Sequence, residues 1–168
     1  MALEDDIAIL SQAPVFNLLE KDALRLVAFA SETRSYREGD VLFKKGDRSD
    51  GGYVVSRGAI ALDASDDGSP AAFVAGPGAL IGQAALFARI ERRATATARE
   101  PSAIIRVTPS LMRRVLEEFP EAAAAIHDAM AEELIRLTEG LERVRQQLIA
   151  IDGEEVPAEE PEEGKAQD

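Results

Sequence analysis

The sequence predicts a mainly β domain flanked by helices, with a long helix at its C-terminal end. Three observations carry this. Between about Arg34 and Val107, short apolar or alternating runs are separated by glycine-bearing turns roughly every 8–12 residues, the rhythm of a small antiparallel sandwich or barrel. Before residue 33 and after Pro109, apolar residues fall at helical spacing. From Met130 they recur in steps of 4, 3, 4, 3, 4 and 3, the seam of a helix that pairs with another. With 168 residues, 46% of them hydrophobic, the chain can bury a core, although aromatics are only 5% and tryptophan is absent.

At the N-terminus, Ile7, Ile9, Leu10, Val15, Phe16, Leu18 and Leu19 are interrupted by Pro14, which predicts a short helix, a turn and a second short turn. Ala23, Leu24, Leu26, Val27 and Phe29 mark a better helix starting near Lys21–Asp22. The strand candidates are Val41–Phe43, Gly51–Val55, Ile60–Leu62, Ala71–Val74, Ala94–Ala98 and Ile104–Val107. Glu38-Gly39-Asp40, Gly46-Asp47, Ser56-Arg57-Gly58, Asp66-Asp67-Gly68 and Gly76-Pro77-Gly78 supply the turns. Gln83–Ala88 (QAALFA) breaks the rhythm: alanine-rich and without β-branching, it reads as a helical turn between strands.

After Pro109 the chain returns to helix over Leu111–Phe119 and again beyond Pro120. The seam positions are Met130, Leu134, Leu137, Leu141, Val144, Leu148 and Ile151. A helix of about 30 residues reaches roughly 45 Å, so it either pairs with a second copy or folds back on its own β domain. The expected divisions are therefore a β domain with N-terminal helices over 1–120, a coiled-coil-like dimer helix over 121–151, and residues 152–168. That last stretch, DGEEVPAEEPEEGKAQD, holds eight acids and one lysine with almost no large apolar side chain, and is expected to be disordered.

Composition excludes several chemistries. Without cysteine there are no disulfides, thiolate metal sites or cysteine nucleophiles. A single histidine, His127, supplies no His-based zinc site and, with no Ser-and-carboxylate arrangement near it, no triad. That also counts against a cupin-like metalloenzyme, and the expected enzyme activity and metal content are none. The acidic start MALEDDIAIL and the lack of a long apolar run predict neither a signal peptide nor a membrane anchor, hence a cytoplasmic protein. A net charge of −12 argues against broad capture of nucleic acid or anionic membrane.

One segment stands out: GPGALIGQAALFARIERRATATARE, residues 76–100. Gly82 opens a short helical turn whose first backbone N–H groups can face an anion. Arg92 follows nine residues after Gln83. Fixed dipoles on one side and a two-pronged cation on the other make a cradle for a single phosphate, and Ala84 and Ala85 let a ligand approach the backbone.

The order Ile81, Gly82, Gln83, Ala84, Ala85, Leu86, a variable loop, then Arg92, Arg93, Ala94 resembles the phosphate-binding cassette of cyclic nucleotide-binding domains, and the long C-terminal helix resembles that of the bacterial catabolite-activator (Crp/Fnr) type in particular. Tyr36-x-x-Gly39-Asp40-Val41-Leu42-Phe43-x-x-Gly46-Asp47, then Gly52-Tyr53-Val54-Val55-x-x-Gly58, and Ala98 fit the same pattern, over roughly residues 13–120. The resemblance implies an eight-stranded β-roll, or jelly roll, flanked by helices. It implies that Arg92 pairs with the cyclic phosphate and that the backbone of Gly82, Gln83 and Ala85 holds phosphate and ribose. Arg93 stands where the family often has a small residue. Gln83 replaces the usual Glu that accepts the ribose 2′-hydroxyl, keeping an acceptor but losing the charge. Thr138 falls near the polar base-contacting pair. The implied ligand is cAMP or cGMP, and the implied assembly a homodimer along the C-terminal helix that signals through a protein partner. The alternative is a roll that no longer binds nucleotide and serves as a dimeric scaffold. No helix-turn-helix can be drawn after Ile151, so direct DNA binding is not expected.

Overall fold

The computed structural model describes residues 2–65, 67, 71 and 73–152. Two helices, α1 (Ala2–Leu10) and α2 (Lys21–Ala30), precede eight strands: β1 (Glu32–Tyr36), β2 (Val41–Phe43), β3 (Gly52–Arg57), β4 (Ile60–Asp63), β5 (Phe73–Ala75), β6 (Leu80–Ile81), β7 (Thr95–Ala98) and β8 (Ser102–Val107). Helices α3 (Pro109–Glu118) and α4 (Pro120–Asp152) follow, and single 3-10 turns cover Phe16–Leu18 and Gln83–Leu86. The strands form two antiparallel four-stranded sheets, ordered β1-β8-β3-β6 and β2-β7-β4-β5. This is the expected β-roll with flanking helices and a long C-terminal helix.

The two sheets differ in what they face. In β3 and β8 nearly every residue is buried. Ile104 and Val55 point into the roll with Phe43, Ile60 and Ala96, whereas Ile105, Val107 and Val54 join Phe16, Val27, Met112 and Val115 of the helices. The central strands of the first sheet are thus covered on both faces, and they read as largely apolar runs. The second is covered on one face only, so β7 (TATA) alternates between half-buried and buried.

Two short loops share one device. The Asp40 carboxylate accepts from the Arg37 N–H at 2.8 Å, and Asp47 accepts from the Lys44 N–H at 2.9 Å. Each aspartate satisfies the backbone of its own turn. The start of α3 is capped likewise: the Leu111 N–H donates to Thr108 Oγ1 at 3.2 Å, with Pro109 entering the first turn.

Two strands departed from the sequence reading. The polar string ETRSY gives no alternation, yet it forms β1 because β8 pairs it from Glu32↔Arg106 to Tyr36↔Ser102. Strand β6 is only two residues long, too short for any periodicity. The predicted Ala71–Val74 strand is seen as β5 at Phe73–Ala75.

The chain divides into two units, one ending at His127 and one beginning at Asp128. In the first, Ala122 and Ile126 from the start of α4 are buried against the helical cluster. In the second, Leu134, Leu137, Leu141, Val144, Leu148 and Ile151 stand exposed on α4. The acidic stretch after Asp152 lies outside the described residues. Among the described residues, no helix is long and apolar enough to cross a membrane.

Ile105 and Val74 should separate the two kinds of position. Ile105→Ala removes a side chain that is 0% exposed and is expected to cost about 3 kcal/mol. Val74→Ala, at 39% exposed, is expected to cost well under about 1 kcal/mol. Urea unfolding midpoints of the two variants check this.

Candidate functional site

The segment from Gly82 to Arg92 is fixed at both ends. Its 3-10 turn sits on Leu86, which is 0% exposed and belongs to the helical cluster. Leu86 lies directly over the start of β3, where a Cβ on Gly52 would come 2.5 Å from Leu86 Cδ2. Glycine at 52 makes that approach possible. At the far end, residues 90–92 run beside the β2–β3 loop: the Arg92 N–H donates to Asp47 O at 2.8 Å, the Gly46 N–H to Arg92 O at 2.8 Å, and the Ile90 N–H to the buried Ser49 Oγ at 2.9 Å.

These bonds turn the Arg92 side chain into the protein, where it is only 4% exposed. Nη2 donates to Gly51 O at 2.7 Å and lies 3.5 Å from Asp50 Oδ1. The guanidinium carbon stands 4.1 Å from the centre of the Phe43 ring and 5.0 Å from that of Tyr53, contacts that stabilise a buried cation. Nε is fully buried and has no partner among the described residues. Nη1 also lacks one and rests under Gly82, whose φ is +77°. A Cβ there would come 2.6 Å from Nη1. The left-handed backbone angle favours glycine at 82, and its missing side chain leaves room for Nη1.

Asp50 is the counter-charge for the whole cluster. It accepts from Tyr53 Oη at 2.6 Å and faces Arg34 at 3.3 Å and Arg92 and Arg106 at 3.5 Å. Burial pushes its carboxyl upward, but the Tyr53 bond and the facing Arg106 and Arg34 outweigh this and hold it below the usual carboxylate range. The Tyr53 hydroxyl, buried and bonded to Asp50, is pushed up to about 12.

Gly82, Gln83, Ala84, Arg92 and Arg93 line one cavity of about 710 Å3, together with Lys45, Ile90 and Glu91. It adjoins an apolar recess of about 200 Å3 walled by Phe43, Leu62, Ile81 and Ile90. A cavity carrying charged side chains joined to an apolar recess suits a ligand with an anionic end and a flat hydrophobic end. The N–H groups of Gln83 and Ala84 have no partner among the described residues, whereas the Ala85 N–H is bonded to Gly82 O at 3.0 Å. Ala85 is buried beneath the turn rather than lining the cavity. Arg93 is exposed at the rim. Thr138 belongs to the second unit, where its hydroxyl donates to Leu134 O at 2.9 Å. Sequence reading missed Asp50, Gly51, Phe43 and Tyr53 as the setting of Arg92, and Lys45 and Glu91 as lining. Only the glycine pair 51–52 hinted that the β2–β3 loop comes close to something.

A model of the family described as cyclic nucleotide-binding domain matches residues 33–119, just over half of the chain. A cyclic nucleotide-binding-like protein from Brucella abortus is 37% identical, with 67% of this chain and 98% of that one covered and a TM-score of 0.61. The N-terminal domain of a transcriptional regulator from Streptomyces coelicolor is 30% identical, with 79% and 94% covered and a TM-score of 0.73. The regulatory domain of Toxoplasma gondii PKA, crystallised with cAMP, is 25% identical, with 67% and 44% covered and a TM-score of 0.61.

The Asp50 cluster makes stability depend on pH in a defined direction. A carboxyl held below its ordinary value stabilises the fold above about pH 4, and that contribution disappears as pH falls toward the lowered value. Because Asp50 is 40% exposed, screening keeps the contribution under about 1 kcal/mol. Asp50→Asn is expected to shrink the difference in urea midpoint between about pH 6 and pH 3 relative to the parent protein.

Proposed function

The chain belongs to the cyclic nucleotide-binding domain family, and from that we propose that it is a regulatory module that binds cAMP or cGMP, catalyses nothing, and acts in the cytoplasm as a homodimer through a protein partner. One observation carries the binding reading. Arg92 is a buried guanidinium with donors to spare, since Nε and Nη1 have no partner among the described residues. An unpaired buried donor on a cation is costly, and a phosphate diester at the cavity wall accepts from this guanidinium. The Gln83 and Ala84 N–H groups complete the cradle, and Gln83 offers its amide oxygen to a ribose hydroxyl. The apolar recess takes the base.

Occupancy would be transmitted through Leu86. The turn that carries the free N–H groups is anchored by this residue in the cluster that also holds Met112, Val115 and Ile126. Drawing the turn toward a ligand moves a side chain shared with α3 and the start of α4. The ligand selects one packing of these helices over another, as it must if its affinity for the two differs. The exposed apolar stripe of α4 is the surface we assign to pairing and to the partner.

Calorimetric titration of the full chain with cAMP and, separately, cGMP tests the reading. Binding is expected, with a loss of roughly 100-fold in Arg92→Ala, which removes a charged hydrogen-bond partner. Arg92→Ala risks unfolding, so Gln83→Glu serves as the second variant. A carboxylate accepts the ribose hydroxyl more strongly, and an affinity gain of about fivefold to tenfold is expected. No heat from folded parent protein or from Gln83→Glu, with either nucleotide, overturns the binding reading in favour of a scaffold.

A further inference from the structure

The segment Gly82–Arg92 borders a second cavity, of about 460 Å3, which shares no lining residue with the first. Phe87 and Arg89 come from the segment, Asp50 and Arg106 from the roll, and Ser110 and Arg113 from the first turns of α3. Three guanidiniums converge here on a chain with 31 acidic against 19 basic residues. Arg106 is committed, with Nη2 donating to Glu32 at 2.6 Å and Nη1 to Asp50 O at 3.1 Å. Asp50, the cavity's carboxylate, is already shared by Arg34, Arg92 and Arg106. Arg89 and Arg113 are left over. Neither has a partner among the described residues, although the adjacent Arg114 pairs with Glu118 at 3.0 Å. Both are exposed and both line this one concave space, where a tetrahedral oxyanion can accept from two guanidinium forks.

We propose that this cavity is a second anion site, which binds the phosphate group of a small phosphate monoester between Arg89 and Arg113. Arg89 lies on the segment that also walls the first cavity, and Arg113 lies on α3. An anion bridging them fastens Phe87–Arg89 to α3 and changes the affinity of the first cavity for its own ligand. The coupling is reciprocal. The phosphate site itself stands independently of the nucleotide reading; only the coupling rests on it.

Titrating the isotope-labelled full chain with inorganic phosphate at constant ionic strength, read as backbone amide shifts, tests the site. Saturable shifts centred on residues 87–89 and 110–113 are expected, and Arg89→Gln or Arg113→Gln should each weaken the interaction roughly tenfold. Shifts centred instead on Gly82–Ala84 and lost in Arg92→Ala would place the phosphate in the first cavity and overturn the proposal. Linear shifts with no saturation, unchanged in both glutamine variants, would overturn it as general screening. The coupling is read by repeating the cAMP titration with and without about 20 mM phosphate. A change of at least about threefold in the parent, absent from the double glutamine variant, supports it. Equal affinities refute the coupling. If cAMP does not bind at all, the amide shifts still decide the phosphate site, so the two readings fail separately.

Discussion

Arg92 brings a positive charge to a place only 4% exposed, and a charge stays there only if its surroundings replace the water it has lost. That requirement reaches far along the chain. The Gly51 carbonyl and the Asp50 carboxylate come from the loop before β3, the Phe43 ring from β2 and the Tyr53 ring from β3 itself. Gly82 is bare so that the guanidinium can pass beneath it. The positions of two strands, one loop and the cassette turn are thus set by the solvation of a single group. The solvation is also incomplete, since Nε has no partner among the described residues.

The architecture was legible because its signals are local. Gly-Asp turns, the alanine-rich QAALFA and the step of α4 are each written in a short stretch of neighbouring residues, and α2 begins at Lys21 as read. The cassette could be read for the same reason. What surrounds Arg92 could not, since Asp50 and Gly51 are about 40 positions away and nothing in RSDGGYVV marks its aspartate as a counter-ion. Strand β1 was hidden differently: ETRSY has no apolar rhythm, and the register of β8 imposes its conformation. Residues whose role is to pair with a distant element carry little trace of it in their own neighbourhood.

The two sheets divide the work. The central strands β8 and β3 of the β1-β8-β3-β6 sheet, apolar on both sides, join the roll interior to the helices, and Leu86 reaches the same layer from the cassette turn. Whatever displaces the turn therefore meets the helices through side chains already in contact, without passing through the roll. The β2-β7-β4-β5 sheet has solvent on its outer side and supplies walls: Phe43 behind the guanidinium, Leu62 and Ile81 beside the apolar recess, the last from the opposite sheet. One sheet connects and the other mainly encloses.

The strand order also dictates how this domain comes into being. Strand β8 lies between β1 and β3, and its pairing with β1 joins residues 74 positions apart at Glu32 and Arg106. Neither neighbour can take its place until β8 has been synthesised, so this long loop closure comes late, and folding belongs to the slow regime of non-local β topologies. During synthesis, Arg92 emerges before β8, the strand that pairs with β3 and so backs the loop holding Asp50 and Gly51. A growing chain therefore cannot complete this sheet until Val107 has left the ribosome.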